Sequence, residues 1–187
     1  MSNRATLHTF VVYVENKPGV LTRVASLFRR RAFNIDSLTV GRTEKPEVSR
    51  MTITVEADAD EARRIEANLY KLVNVLLVDD ITRQPSILRD LAMIKVAAPH
   101  EVRSHVLELV KVFRARVVDV APESLTIEIT GTEDKIDGLL EVLRPYGVIE
   151  MVRTGMVAMR RGKRAGAAAS ATPPLEAFDS ESAVPPA

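Results

Sequence analysis

One order of hydrophobic periodicities, passed through twice, limits the fold of this chain more than anything else in it. Residues 7–14 are rich in β-branched side chains and suit a strand, and residues 18–32 then place Val20, Leu21, Val24, Leu27 and Phe28 at helical spacing. Two strand-like runs follow at 35–43 and 48–57, joined by the polar turn Glu44-Lys45-Pro46-Glu47 into a hairpin. A second helical pattern opens with Asp58, Asp60 and Glu61, where the helix dipole favours acid, and lines one side with Ala62, Ile65, Leu69 and Leu72. A strand at 73–82 closes the pass. After Gln84-Pro85-Ser86 the same order returns: a strand at 88–97, a helix at 100–114 with Val102, Val106, Leu109, Val110 and Phe113, and a strand at 117–121. Beyond Pro122-Glu123-Ser124, Leu125, Ile127 and Ile129 alternate with Thr126, Glu128 and Thr130. Gly131-Thr132-Glu133-Asp134 opens a helix carrying Ile136, Leu139, Leu140 and Leu143, Pro145-Tyr146-Gly147 stops it, and one strand is predicted over 148–159.

Strand, helix, strand, strand, helix, strand is the split βαβ order. The predicted fold is therefore α+β: two ferredoxin-like βαββαβ units in tandem, each an antiparallel four-stranded sheet with two helices on one face. The boundaries read 1–84 for the first unit, 85–160 for the second and 161–187 for a tail expected to be disordered, since it has too little bulk apolar surface to offset the entropy of ordering it. A length of 187 residues with 46% hydrophobic content is enough for two such cores.

Composition then removes whole classes of function. Lys and Arg number 26 against 25 Asp and Glu, so no overall field draws in nucleic acid or an anionic membrane, and neither is expected as a partner. The basic run Arg160-Arg161-Gly162-Lys163-Arg164 is read as a solvated domain end and not as a nucleic-acid contact, since neither interleaved aromatics nor a basic domain face accompanies it. There is no cysteine, which excludes thiol nucleophiles and thiolate metal sites. Of the three histidines, His8 falls in a strand while His100 and His105 are five apart on a helix and share no face, so no metal site is expected. Without an apolar run of membrane-spanning length or a signal-like start, the chain is expected to be cytoplasmic.

The candidate site lies where the first strand passes into the first helix, in Asn16-Lys17-Pro18-Gly19-Val20-Leu21, with Phe33-Asn34-Ile35-Asp36 closing off the stretch. Pro18 suits the first helical turn, where its missing N–H costs nothing, and Gly19 permits a close backbone approach. The N–H groups of Gly19, Val20 and Leu21 are then expected to be unpaired at the positive end of the helix dipole, which suits a carboxylate. The side-chain amides of Asn16 and Asn34 can donate and accept, as an ammonium group and a loop require. Read singly, Asn16 also fits a turn and cap position, Gly19 a tight turn, and Asn34 a loop with an unusual backbone angle. Glu15 and Asp36 lie near the loop in sequence, yet no nucleophile or oxyanion arrangement accompanies them, and an enzyme acting alone is not expected. In the second unit the corresponding residues are Ala98-Pro99-His100-Glu101, without amide or glycine, so one ligand loop per chain is expected.

Glu15-Asn16-Lys17-Pro18-Gly19-Val20-Leu21, followed by Phe33-Asn34-Ile35-Asp36-Ser37-Leu38-Thr39-Val40, then by Ser49-Arg50-Met51-Thr52 and Lys71-Leu72-Val73, resembles the small regulatory subunit of acetolactate synthase (acetohydroxyacid synthase). The likeness runs over about residues 7–159, and its first unit resembles an ACT domain, an amino-acid-sensing module. The resemblance implies a non-catalytic subunit of branched-chain amino acid biosynthesis that activates a large catalytic subunit and confers feedback inhibition by valine. It implies an effector site of Asn16, Lys17, Pro18, Gly19, Val20, Leu21, Asn34 and Ile35, at the junction of two ACT units paired in a homodimer. Thiamine diphosphate, Mg and FAD are expected in the large subunit and no cofactor in this chain. The alternative is a free-standing ACT-domain sensor acting on another enzyme or on transcription, although the chain carries no helix-turn-helix or basic face for the latter.

Overall fold

The computed structural model describes residues 5–162, and these form two sheets with four α-helices and a short 3-10 turn at Arg144–Tyr146. The first unit consists of β1 (Thr6–Glu15), α1 (Val20–Arg30), β2 (Ile35–Arg42), β3 (Val48–Ala57), α2 (Ala59–Leu69) and β4 (Val75–Asp80). Its strands lie in the order β2-β3-β1-β4, all antiparallel, as the split βαβ order requires. Alternate residues of β1 and β3 (Phe10, Val12 and Val14; Met51, Ile53 and Val55) meet Val20, Val24, Leu27 and Phe28 of α1 and Ala62, Ile65 and Leu69 of α2 in one core. The expected face of α1 loses one member, since Leu21 is 44% exposed. The acid predicted at the start of α2 forms a capping box: Asp58 accepts from the N–H groups of Asp60 and Glu61, and Glu61 accepts from the N–H of Asp58.

The second unit repeats the plan with β5 (Ser86–Ala97), α3 (His100–Val112), β6 (Arg116–Val120), β7 (Ser124–Gly131), α4 (Glu133–Leu143) and β8 (Val148–Arg153), in the strand order β6-β7-β5-β8. Ile94, Val96, Leu125, Ile127 and Ile129 pack against Val106 and Val110 of α3 and Ile136, Leu139 and Leu143 of α4. One expectation is corrected. The single strand predicted over 148–159 is two, because the chain kinks at 154–156 and resumes as β9 (Val157–Arg160). Gly155 sits in the kink at φ +83. An added Cβ there would come within 2.7 Å of Ser37 Oγ and 3.0 Å of Thr39 Oγ1 on β2, so only glycine allows this approach.

The kink sends β9 and the first four residues of β5, which pair with each other, off the second sheet and onto the first. There Ala158 and Leu88 pack against Val11, Tyr13 and Ile81, on the face turned away from α1 and α2. On β3, Thr52 and Thr54 alternate with core residues and are nonetheless 2% and 0% exposed, so this face of the first sheet is covered as well. No helix among the described residues is long and apolar enough to cross a membrane. The tail predicted from 161 onward lies, apart from Arg161 and Gly162, outside the described residues.

Candidate effector site

β1 ends at Glu15, and the next residues are tied to the β2–β3 turn: Asn16 donates its N–H to Glu47 O at 2.7 Å and its Nδ2 to Pro46 O at 2.8 Å. That leaves Asn16 Oδ1 as the acceptor the side chain can offer outward. Behind the loop runs a chain of polar contacts. Arg23 donates to Asn74 Oδ1 at 2.9 Å, the Asn74 amide donates to Glu15 Oε2, and Lys17 Nζ donates to Glu15 Oε1 at 3.0 Å. The Asn74 hydrogen bond, then the one from Lys17 and its charge, hold the Glu15 carboxyl below the usual carboxylate range. Such a group is an ionised brace and not a proton donor.

Gly19 is the cap of α1 at φ 81 and ψ −7, in the left-handed region, with no side chain capping the helix. A residue in that conformation cannot belong to a right-handed helix, so α1 begins at Val20, and Pro18 stands in the preceding turn and not in the first helical turn as predicted. A Cβ built on Gly19 meets nothing within 4 Å, so the space in front of the loop is open. Among the described residues the N–H groups of Gly19 and Leu21 have no acceptor. The third group expected to be free is loosely engaged: Val20 N–H points to Lys17 O at 3.4 Å. These two donors, without acceptors among the described residues, stand at the positive end of an eleven-residue helix, an arrangement suited to a carboxylate.

The remaining predicted residues divide. Val20 is 4% exposed and belongs to the core, so only its backbone borders the loop, whereas the exposed Leu21 offers an apolar side chain beside it. Ile35 is half-buried against the first core. Asn34 is exposed and forms no hydrogen bond among the described residues. The unusual backbone angle weighed for Asn34 belongs instead to Ala32, at φ 56. The larger surprise is position. Glu15 pairs with Val48, while Ile35 pairs with Val55, which in turn pairs with His8. Seven residues of strand separate those levels, about 23 Å, so one chain holds Asn34 and the Asn16 loop at opposite ends of its sheet. Asp36 shares the far end, accepting from Thr54 Oγ1 at 3.0 Å, so Glu15 and Asp36 are no carboxylate pair.

The second unit shows why its corresponding loop differs. Arg103, the fourth residue of α3 as Arg23 is of α1, turns its guanidinium onto the carbonyls of Ala98 at 2.9 Å, Ala121 at 2.7 Å and Pro122. An arginine thus ties this loop to the β6–β7 turn, as Asn16 ties the loop of the first unit to the β2–β3 turn. The Arg23–Asn74–Glu15 brace and the Arg103 tie both join residues far apart in sequence, and no local motif announces either.

Comparison with known proteins matches both halves. A family described as AHAS small subunit-like ACT domain covers residues 10–77, and one described as small subunit of acetolactate synthase covers 89–162. Over 157 residues the chain is 52% identical to the probable acetolactate synthase small subunit of Archaeoglobus fulgidus, spanning 84% of this chain and 98% of that one. It is 50% identical over 164 residues to the acetolactate synthase small subunit of Mycolicibacterium smegmatis, 88% of this chain and 96% of that one. The crystal structure of the acetolactate synthase small subunit from Thermotoga maritima superposes with a TM-score of 0.79 at 40% identity, covering 85% of this chain and 99% of that one.

Proposed function

This chain belongs to the acetolactate synthase small-subunit family, and on that premise we propose that it is a non-catalytic regulatory subunit that activates a thiamine-diphosphate-dependent large subunit and makes it sensitive to valine. The observation that carries the valine reading is the loop at 16–21: two N–H groups without acceptors among the described residues at a helix start, open space where a Gly19 side chain would stand, and Asn16 in the same loop with its Nδ2 held by Pro46 O. The helix start takes the amino acid's carboxylate, amide and carbonyl oxygens take its ammonium, and Ile35 with its apolar surroundings takes the branched side chain.

The separation of Asn34 from the loop supports a homodimer as the working form. β2 is an edge strand of its sheet. Two copies pairing antiparallel along β2 would bring Asn34 of one chain to the β2–β3 turn of the other, and Pro46 and Glu47 of that turn hold Asn16. Two equivalent sites result, each with a loop from one chain and Asn34 and Ile35 from its partner. The pairing also satisfies backbone groups that an edge strand leaves open. On this reading thiamine diphosphate, Mg and FAD reside in the large subunit, this chain binds none of them, and the complex works in the cytoplasm.

Mixing the purified chain with the large subunit of its own organism and following pyruvate consumption tests the proposal. Turnover should rise several-fold on addition of the chain and fall again with valine, while the chain alone should consume no pyruvate. A large subunit whose rate and valine response ignore the chain would overturn the reading.

A further inference from the structure

We infer that the kink at Thr154, Gly155 and Met156 is the contact through which occupancy of the effector site reaches the second unit. The inference rests on the valine reading above and names the route of its regulation. Ile35 and Ser37 belong to the same strand, and the β2–β3 register slips between them, so the strand is bulged at Asp36. On the near side of the bulge stand the effector residues Asn34 and Ile35. On its far side the Ser37 hydroxyl accepts the Met156 N–H at 3.1 Å, and Thr39 Oγ1 donates to Thr154 O at 3.4 Å.

Thr154 carries the contact into the second sheet. Its Oγ1 donates to Asp90 Oδ1 at 3.0 Å and accepts the Leu91 N–H at 3.2 Å, while its own N–H donates to Leu91 O at 3.0 Å. Asp90 is 9% exposed, and a carboxylate so far removed from water is costly to leave without a donor, so the Thr154 hydroxyl is held to it. A continuous line of hydrogen bonds therefore joins β2 to the middle of β5. Gly155 makes the line possible, because any Cβ would press on both hydroxyls of β2.

A bulge bends its strand, interrupts the ladder and sets the direction of the side chains beside it. A ligand that draws Asn34 and Ile35 toward the neighbouring chain's loop re-aims Ser37, and the kink then follows or lets go. Either response couples the ligand to the placement of the second unit, since an effector shifts a complex only by favouring one arrangement over another. Ser37, Thr39 and Gly155 are thus positioning residues for the valine response and not ligands of valine.

The test uses the full chain with Ser37→Ala and, separately, Gly155→Ala, each measured in two ways. Calorimetry of the chain alone should show valine affinity within about two-fold of the parent, whereas in the mixed enzyme the valine concentration giving half inhibition should rise about ten-fold or more. Amide exchange at Met156 should respond to valine in the parent and not in Ser37→Ala. Ser37→Ala removes one hydroxyl and keeps the test decisive should the strained Gly155→Ala not fold. Unchanged binding with unchanged inhibition in Ser37→Ala would overturn this inference and leave the effector reading standing. A parent chain that binds no valine would overturn both.

Discussion

Gly19 combines two requirements that one substitution cannot separate and two can. Its left-handed backbone at φ 81 would strain any other residue by about 1 kcal/mol, yet the space where a Cβ would stand is empty. Gly19→Ala should therefore lower stability by roughly that amount and leave valine binding within a few-fold of the parent. Gly19→Asp carries the same strain and adds a negative charge beside the Leu21 N–H, so calorimetry should show valine binding lost while activation of the large subunit persists. If Gly19→Asp binds valine as the parent does, the loop is not the site. Glu15, in contrast, matters as an anion. Its lowered pKa means that its contribution to stability is present at neutral pH and is lost as acid titrates it through the folded-state value.

Among the elements, α2 shows a local rule obeyed and a tertiary cost accepted. Its capping box at Asp58 and Glu61 is the device that acid in a first helical turn foretells. Further along, Glu66 faces β4, and burial first, then Asp80 and Asp79, raise its pKa. A carboxyl with a folded-state pKa above its unfolded one binds its proton more tightly when folded. It therefore costs stability once the pH exceeds both values, and the cost fades as the pH falls through the folded value. Glu66→Gln should accordingly raise the urea midpoint at neutral pH, with the gain shrinking in mildly acidic buffer. A midpoint equal to the parent's at neutral pH would show that Glu66 carries no such penalty. His8, nearby on β1, is buried with its Nδ1 3.1 Å from Asp80 Oδ2, which gives a strand histidine a structural duty.

At the scale of the whole molecule, the opposite placement of Asn34 and the Asn16 loop makes a prediction that no single chain can satisfy. Asn34 is exposed and forms no hydrogen bond among the described residues, so Asn34→His should leave stability within about 1 kcal/mol while removing valine binding. Gly19→Asp removes it from the other side of the same site. On the proposed two-fold pairing, a heterodimer of the two variants has one site carrying both changes and one carrying neither. Equal amounts refolded together should thus regain about a quarter of the parental valine sites, since half the dimers are mixed and each restores one of two. Calorimetric site counting reads the result directly. A mixture binding no more than either variant alone would sink a site shared between chains.

Periodicity and turn chemistry alone determined the order of elements, the antiparallel split βαβ plan of both units and the cores, because each of these follows from residues near one another along the chain. The loop residues of the candidate site were equally legible, since a proline and a glycine between a strand and a helix restrict the backbone locally. Three things were decided only in space. The Arg23–Asn74–Glu15 brace depends on which strand lies beside β1. The kink at Gly155, predicted as uninterrupted strand, lies where the first sheet presents Ser37 and Thr39 to it. The distance between Asn34 and the Asn16 loop follows from strand register. Residues 16 and 34 are near in sequence, yet α1 carries the chain back along the sheet before β2 begins, and only the pairing of β2 with β3 reveals how far.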